Sequence, residues 1–304
     1  MTPVIVVKHV SKDFKEIKAL DDLSFSVPEG KVYGFLGQNG AGKSTMIRIL
    51  LTLVRPTSGV VEIFGMDLKK NRKQILKNIG AIIERPDLYK YLTAKQNLEI
   101  FAVMSGVKIR EKEIMEQLNK VGLAQRVNSK VKTYSQGMRQ RLGIAVALIH
   151  DPELIILDEP MNGLDPQGIA DVRNLILHLS KDLGKTLFVS SHLLSEMELI
   201  ADSMLIIDKG KKIVEGKVAE LLNPGETNVE LETMNIEQSR KQIQGSLWGK
   251  HFVGESNGKM ILKMESDKIP VFIRDISQMN IDIISVRPKH SLEDYFLSLT
   301  AHHG

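Results

Sequence analysis

The sequence predicts an α/β fold on a mostly parallel sheet, with an inserted all-helical subdomain and a small C-terminal α+β domain. Three observations predict it. Strand and helix patterns alternate over residues 1–222. The run Leu154–Leu157 is apolar without a break, as in a strand buried on both faces of a parallel sheet. Residues 225–304 carry a strand–helix order of their own, and 304 residues suit about two domains.

Residues 4–10 (VIVVKHV) and 23–27 (LSFSV) read as strands, the second closed by the turn Pro28-Glu29-Gly30. Residues 31–36 form a buried strand that runs into a glycine-rich turn and then a helix over 43–53, ended by Arg55-Pro56-Thr57-Ser58-Gly59. Residues 60–64 are a further strand. Over 91–149 the apolar spacing turns helical, with helices at 93–105, 110–121 and 135–149, the last capped by Ser135. Strand 154–157, helix 168–182, strand 186–190, helix 193–201 and strand 204–207 complete the first domain, 1–222. Asn223-Pro224-Gly225 marks a linker. Beyond it come strand 228–232, helix 235–245, strands 251–255 and 259–264, helix 269–278, strand 281–286 and helix 291–299. The βαββαβ order predicts a ferredoxin-like sandwich for 225–304.

Composition narrows the chemistry. The chain has no Cys, which excludes a disulfide scaffold, Cys-ligated metals and a Cys nucleophile. No run of 18 apolar residues exists and the N-terminus lacks a secretory pattern, so a cytoplasmic protein is expected. The net charge is +4; residues 225–304 hold 9 Lys and Arg against 11 Asp and Glu, so the excess lies in the first domain. A modest excess there suits polyphosphate or an anionic membrane surface. Spread over 224 residues, and without interleaved aromatics, it does not predict a nucleic-acid partner.

Gly37-Gln38-Asn39-Gly40-Ala41-Gly42-Lys43-Ser44 fits G-x-x-x-x-G-K-[ST] between a predicted strand and a predicted helix, the setting that gives the pattern its meaning. Glycines let successive N–H groups turn inward onto phosphate oxygens, and the helix N-terminus adds positive charge. Lys43 reaches the β- and γ-phosphates and the Ser44 hydroxyl ligates Mg²⁺. Thr45 completes the nucleotide-binding set, and the first domain is read as a P-loop NTPase core. The apolar strand before Asp158 delivers that carboxylate to its C-terminal edge, where α/β sheets bind ligands and where it can hold Mg²⁺. Glu159 then lies where it can act as general base on an attacking water.

Between these motifs lies Tyr134-Ser135-Gln136-Gly137-Met138-Arg139-Gln140-Arg141, and after them Gly163-Leu164-Asp165-Pro166 and Ser190-Ser191-His192. This ordered set, over about residues 3–222, resembles the ATP-binding subunits of ABC transporters. The resemblance implies that Ser135 and Gly137 belong to the signature motif, which grips the γ-phosphate on the opposite subunit. It implies that Asp165 is the D-loop residue linking the two sites, that His192 is the switch histidine contacting the γ-phosphate, and that Phe14 stacks on adenine. Two positions depart from the family pattern. Gln136 stands where the signature usually has its first glycine, and Glu84 stands where the Q-loop usually has Gln, which adds a carboxylate near Mg²⁺ with Arg85 beside it to offset the charge. The I-E-x-P form of that loop, the run 137–145 and the segment 291–296 resemble the branch of bacitracin- and lantibiotic-type exporters.

What the resemblance implies is an ATP hydrolase coupled to transmembrane transport. One chain carries one phosphate loop and one signature, so two copies or paired ATPase subunits must meet head to tail on ATP. Separate polytopic permease subunits supply the pore, and the chain works on the cytoplasmic face of the membrane. An importer motor and a non-transport ABC switch on ribosomes or nucleic acid are the alternatives. Regulation, bracing and dimer support all suit the C-terminal domain, with dimer support preferred.

Overall fold

The computed structural model describes residues 3–221, 227–256, 258–279 and 281–289. The chain divides into two compact units, 1–218 and 219–304. The expected linker 223–225, the last helix 291–299 and the segment 291–296 lie outside the described residues.

In chain order the first unit is β1 (Pro3–Phe14), β2 (Ile17–Pro28), β3 (Val32–Leu36), α1 (Lys43–Leu50), β4 (Ser58–Ile63), β5 (Met66–Asp67), α2 (Arg72–Leu76), β6 (Ile79–Ile82), α3 (Ala94–Met104), α4 (Glu111–Lys120), α5 (Gln136–Ala147), β7 (Leu154–Asp158), α6 (Pro166–Lys181), β8 (Thr186–Ser191), α7 (Leu194–Glu198), β9 (Ser203–Asp208) and β10 (Lys211–Lys217); α8 (Val218–Leu221) begins at the division between the units. Six strands form one sheet in the order β10-β9-β3-β8-β7-β6. Five of them run parallel and β10 closes the edge antiparallel. Every residue of β3, β7 and β8 is buried, which is why β3 and residues 154–157 of β7 read as continuous apolar runs, while β8 buries Thr186, Ser190 and Ser191 around its apolar Leu187–Val189.

The expectation of a mostly parallel sheet holds for this layer alone. β1, β2, β4 and β5 form a second, antiparallel sheet in the order β2-β1-β4-β5. β2 alternates as a half-buried sheet requires, with Leu23, Phe25 and Val27 turned inward; on β1 Ile5 and Val7 follow the same period, and a register shift after Val7 brings Val10 back to the buried face. Phe25 joins the two layers, with its ring 5.8 Å from Tyr33, 5.7 Å from Phe35 and 6.1 Å from Phe188 between centroids. Residues 94–147 hold no strand: α3 begins in a capping box of Thr93 and Gln96, and α5 begins at the cap Ser135.

The second unit is β11 (Thr227–Thr233), α9 (Ile236–Gln244), β12 (Phe252–Ser256), β13 (Lys259–Met264), α10 (Ile269–Gln278) and β14 (Ile283–Lys289). Its antiparallel sheet has the order β12-β13-β11-β14, the ferredoxin-like arrangement that βαββαβ predicts. Val229, Leu231, Met260, Leu262, Ile243 and Phe272 pack a core of its own.

Candidate functional site

The parallel register brings the ends of three strands together. Leu36 pairs with Ser191, and Asp158 with Ser190. The loop leaving β3 is held there by the Gly37 N–H, which donates to the Ser191 carbonyl at 3.3 Å. Gln38, Asn39 and Gly40 form its exposed tip, Ala41 is buried, and α1 starts at Lys43 with Ser44 and Thr45 in its first turn. Gly42 caps α1 with φ +109°, and a Cβ there would stand 2.5 Å from the Ala19 carbonyl oxygen. A side chain is excluded twice over, by backbone conformation and by space.

Lys43 is the buried cation of this loop, with its side chain 6% exposed. Its ammonium donates to the Gly37 carbonyl at 2.6 Å and the Gln38 carbonyl at 3.3 Å. Its Nζ also lies 3.2 Å from Glu159 Oε1; this is an ion pair by distance but not a well-directed hydrogen bond, since that oxygen accepts none.

Asp158 ends β7 fully buried, and both its oxygens are directed. The Ser44 hydroxyl donates to Oδ2 at 3.2 Å and the Ser190 hydroxyl to Oδ1 at 2.5 Å. Ser190 also accepts the Glu159 N–H at 3.0 Å. It therefore fixes both carboxylate residues, a role the sequence reading did not give it. The signal was its position at the end of β8, two residues before His192. Glu159 turns out of the strand at φ +48°, an unfavourable angle for a residue with a Cβ, and the turn aims its carboxylate between Lys43 and His192. His192 Nδ1 lies 2.8 Å from Glu159 Oε2. With Glu159 ionised, that nitrogen carries the proton and donates.

The signature and D-loop residues come together at a second place. Ser135 accepts the Met138 N–H at 3.2 Å, and Asp165 accepts the Gly168 N–H at 3.2 Å, so each caps a helix. Gln136 begins α5 in ordinary helical conformation, so the position requires no positive φ, and its amide donates to the Asn162 carbonyl at 3.3 Å. At Gly137 a Cβ would come within 3.3 Å of the Gly168 Cα, so α5 and α6 approach closely at their N-termini. Arg141 and Asp171 pair across them at 3.2 Å.

Glu84 and Phe14 stand apart from these clusters. Glu84, at φ +59°, pairs with Arg48 at 3.1 Å, so the cation that offsets it is on α1 and is not Arg85. Arg48 is one helical turn beyond Ser44. Phe14 is 46% exposed at the end of β1, with Lys12 Nζ 4.8 Å from its ring centroid. It is free of the core and open to a stacking partner.

The oxygen set of Ser44 and Asp158 suits a hard cation such as Mg²⁺. Among the described residues no cluster of three or more His, Cys, Asp or Glu could hold a metal by itself. The protein thus offers part of a coordination shell that phosphate oxygens and water would complete.

The family model described as ABC transporter matches residues 20–162. The chain is 49% identical to the bacitracin transport ATP-binding protein BcrA of Bacillus licheniformis, over 71% of this chain and 70% of that one. It is 40% identical to the ABC transporter ATP-binding protein YhcH of Bacillus subtilis, over 99% and 97%. It is 43% identical to the lantibiotic transport ATP-binding protein SrtF of Streptococcus pyogenes, over 70% and 90%. Among solved structures it resembles the dimeric post-hydrolysis form of the ATP-binding cassette MJ0796 bound to ADP and Pi, with TM-score 0.63 and 27% identity over 70% of this chain and 98% of that one. With a phosphate loop, two carboxylates and a histidine gathered at the ends of β3, β7 and β8, and with relatives matching almost end to end, the chain belongs to the ATP-binding subunits of the ABC transporter family.

Proposed function

We propose that this chain is the ATP-hydrolysing motor of an ABC exporter that confers resistance or immunity to peptide antibiotics of the bacitracin and lantibiotic type. The observation that carries the hydrolytic part is the contact chain Lys43–Glu159–His192. The exporter part rests on the likeness to BcrA and SrtF.

In this reading residues 1–222 form the nucleotide-binding domain, with residues 91–149 as its helical subdomain, and 225–304 an accessory domain. Phe14 stacks on adenine, the N–H groups of residues 37–45 enclose the phosphates, and Lys43 exchanges its loop carbonyls for β- and γ-phosphate oxygens. Ser44 and Asp158 would hold Mg²⁺, which when bound would neutralise and orient those oxygens, and Glu84 would join them on leaving Arg48. Glu159 accepts a proton from the attacking water at the carboxylate that His192 and Lys43 fix in place. Ser135, Gln136 and Gly137 close on the γ-phosphate held by a second copy, with Asp165 at the seam, so the α5 N-terminus adds its dipole to that charge. Loss of the γ-phosphate releases the pair, and separate permease subunits in the membrane carry the resulting motion. No helix among the described residues is long and apolar enough to cross a membrane.

The test is expression of this chain, together with any polytopic proteins found encoded beside it, in a bacitracin-sensitive host. Tolerance of bacitracin or a lantibiotic should rise with the native chain and fall to background with Glu159→Gln. Equal tolerance with both chains would refute the export reading.

A further inference from the structure

The positive excess of residues 1–224, dilute on average over that length, is concentrated in one stretch. Residues 1–224 hold 32 Lys and Arg against 26 Asp and Glu, yet the eleven residues 68–78 (LKKNRKQILKN) hold five cations and no acid. Without them the rest of that segment is near balance, 27 against 26. The structure shows how the five are displayed. Ile75, fully buried, anchors α2 to the core. Around that anchor Lys69, Lys70, Arg72, Lys73 and Lys77 are all exposed. None of the five forms an ion pair among the described residues. The nearest acid in sequence, Asp67, spends Oδ1 on the Lys70 N–H at 2.9 Å, while Glu62, paired with Asp67 in the register, is itself paired with Lys8.

The patch extends beyond its own segment. Arg72 Nε donates to Thr52 Oγ1 at 2.6 Å, which ties α2 to the loop after α1. That loop presents Leu53, 59% exposed, and exposed Arg55. Cations without an ion pair, tied through Arg72 and Thr52 to a loop with an exposed leucine, form the composition that an anionic bilayer surface selects: lysine ammonium groups meet phosphate head groups while an aliphatic side chain enters the interface.

We propose that this face, residues 68–78 with the loop at Leu53 and Arg55, docks the protein directly on a membrane surface rich in anionic lipid headgroups. The contact is independent of any permease and of the nucleotide cycle. It raises the local concentration of the subunit at the membrane where its partners lie. Nucleic acid has no such claim here, because no exposed aromatic accompanies the cations of 68–78 to stack on bases.

The test is flotation of the purified full chain with phosphatidylcholine vesicles, with and without phosphatidylglycerol. The protein should float with the mixed vesicles alone, and added salt should release it. Reversing charge in K69E/K70E/K73E/K77E should weaken vesicle binding at least about tenfold while ATP hydrolysis and circular dichroism stay as in the native chain. The neutral K69Q/K70Q/K73Q/K77Q is the second variant, read in the same way should the reversal impair folding. Failure of the native chain to float, binding by the neutral variant equal to that of the native chain, or release from vesicles by duplex DNA in place of salt would each overturn the proposal. Any of these would leave the assignment of the ATP site untouched.

Discussion

His192 Nδ1 and Lys43 Nζ approach the same carboxylate from its two sides, 2.8 Å from Oε2 and 3.2 Å from Oε1 of Glu159. Lys43 comes from the start of α1 and His192 from the residue after β8, so Glu159 is aligned by two separate elements. If Glu159 is the general base, as proposed, a carboxylate held in this way does not need to be reoriented when water arrives, which is where a positioned base gains its rate advantage.

His192→Ala removes one of the two supports. Phosphate release should fall about 10- to 100-fold. In the background of Glu159→Gln the same change should add little, because the two residues act as a unit. Single-turnover phosphate release of both singles and the double measures this, and full additivity would separate the residues.

Gly42→Ala should be the most damaging single change in the phosphate loop. The new Cβ would stand 2.5 Å from the Ala19 carbonyl at a φ of +109°. Destabilisation of about 1–3 kcal/mol is expected, with ATP affinity lost as the loop shifts. Thermal unfolding and fluorescent-nucleotide binding read the two effects.

Much of this site was legible in the residues. The phosphate loop, Asp158 and Glu159 stand at strand and helix junctions that apolar patterning marks, and Ser135 and Asp165 cap helices where such residues should. Contacts across the chain were not legible. Arg48 lies 36 positions from Glu84, and Ser190 lies 32 from Asp158; only the parallel register brings the second pair together. β5, β6 and β10 escaped because they are short or edge strands, and β10 carries four charged residues in KKIVEGK. The antiparallel sheet was missed for another reason: alternation marks single strands but does not say which sheet they join.

Ser135 caps α5, and the proposed function gives it a second role on the partner's γ-phosphate that substitution can separate from the first. Ser135→Ala loses the cap of α5 and should cost about 1 kcal/mol. Ser135→Asp keeps a good cap and hence the stability, but its carboxylate would face the partner's γ-phosphate. Unfolding midpoints should differ between the two variants, while both lose ATP-driven pairing. Pairing retained by the Asp variant would remove Ser135 from the phosphate seam.

Arg48 and Glu84 are 45% and 66% exposed, so their pair should contribute no more than about 1 kcal/mol to stability. Its effect should appear in metal dependence. Arg48→Ala frees Glu84 and should lower the Mg²⁺ concentration for half-maximal hydrolysis by about two- to tenfold, whereas Glu84→Gln should raise it. Magnesium titrations that coincide for native and both variants would place Glu84 outside the metal's surroundings.

The most direct test is the mass of Glu159→Gln in solution with Mg·ATP and with Mg·ADP, measured by analytical ultracentrifugation alongside phosphate release. A stable pair with ATP, separate chains with ADP and release slowed at least about 100-fold are predicted. Chains that stay single with ATP, or that release phosphate at the native rate, would contradict the account.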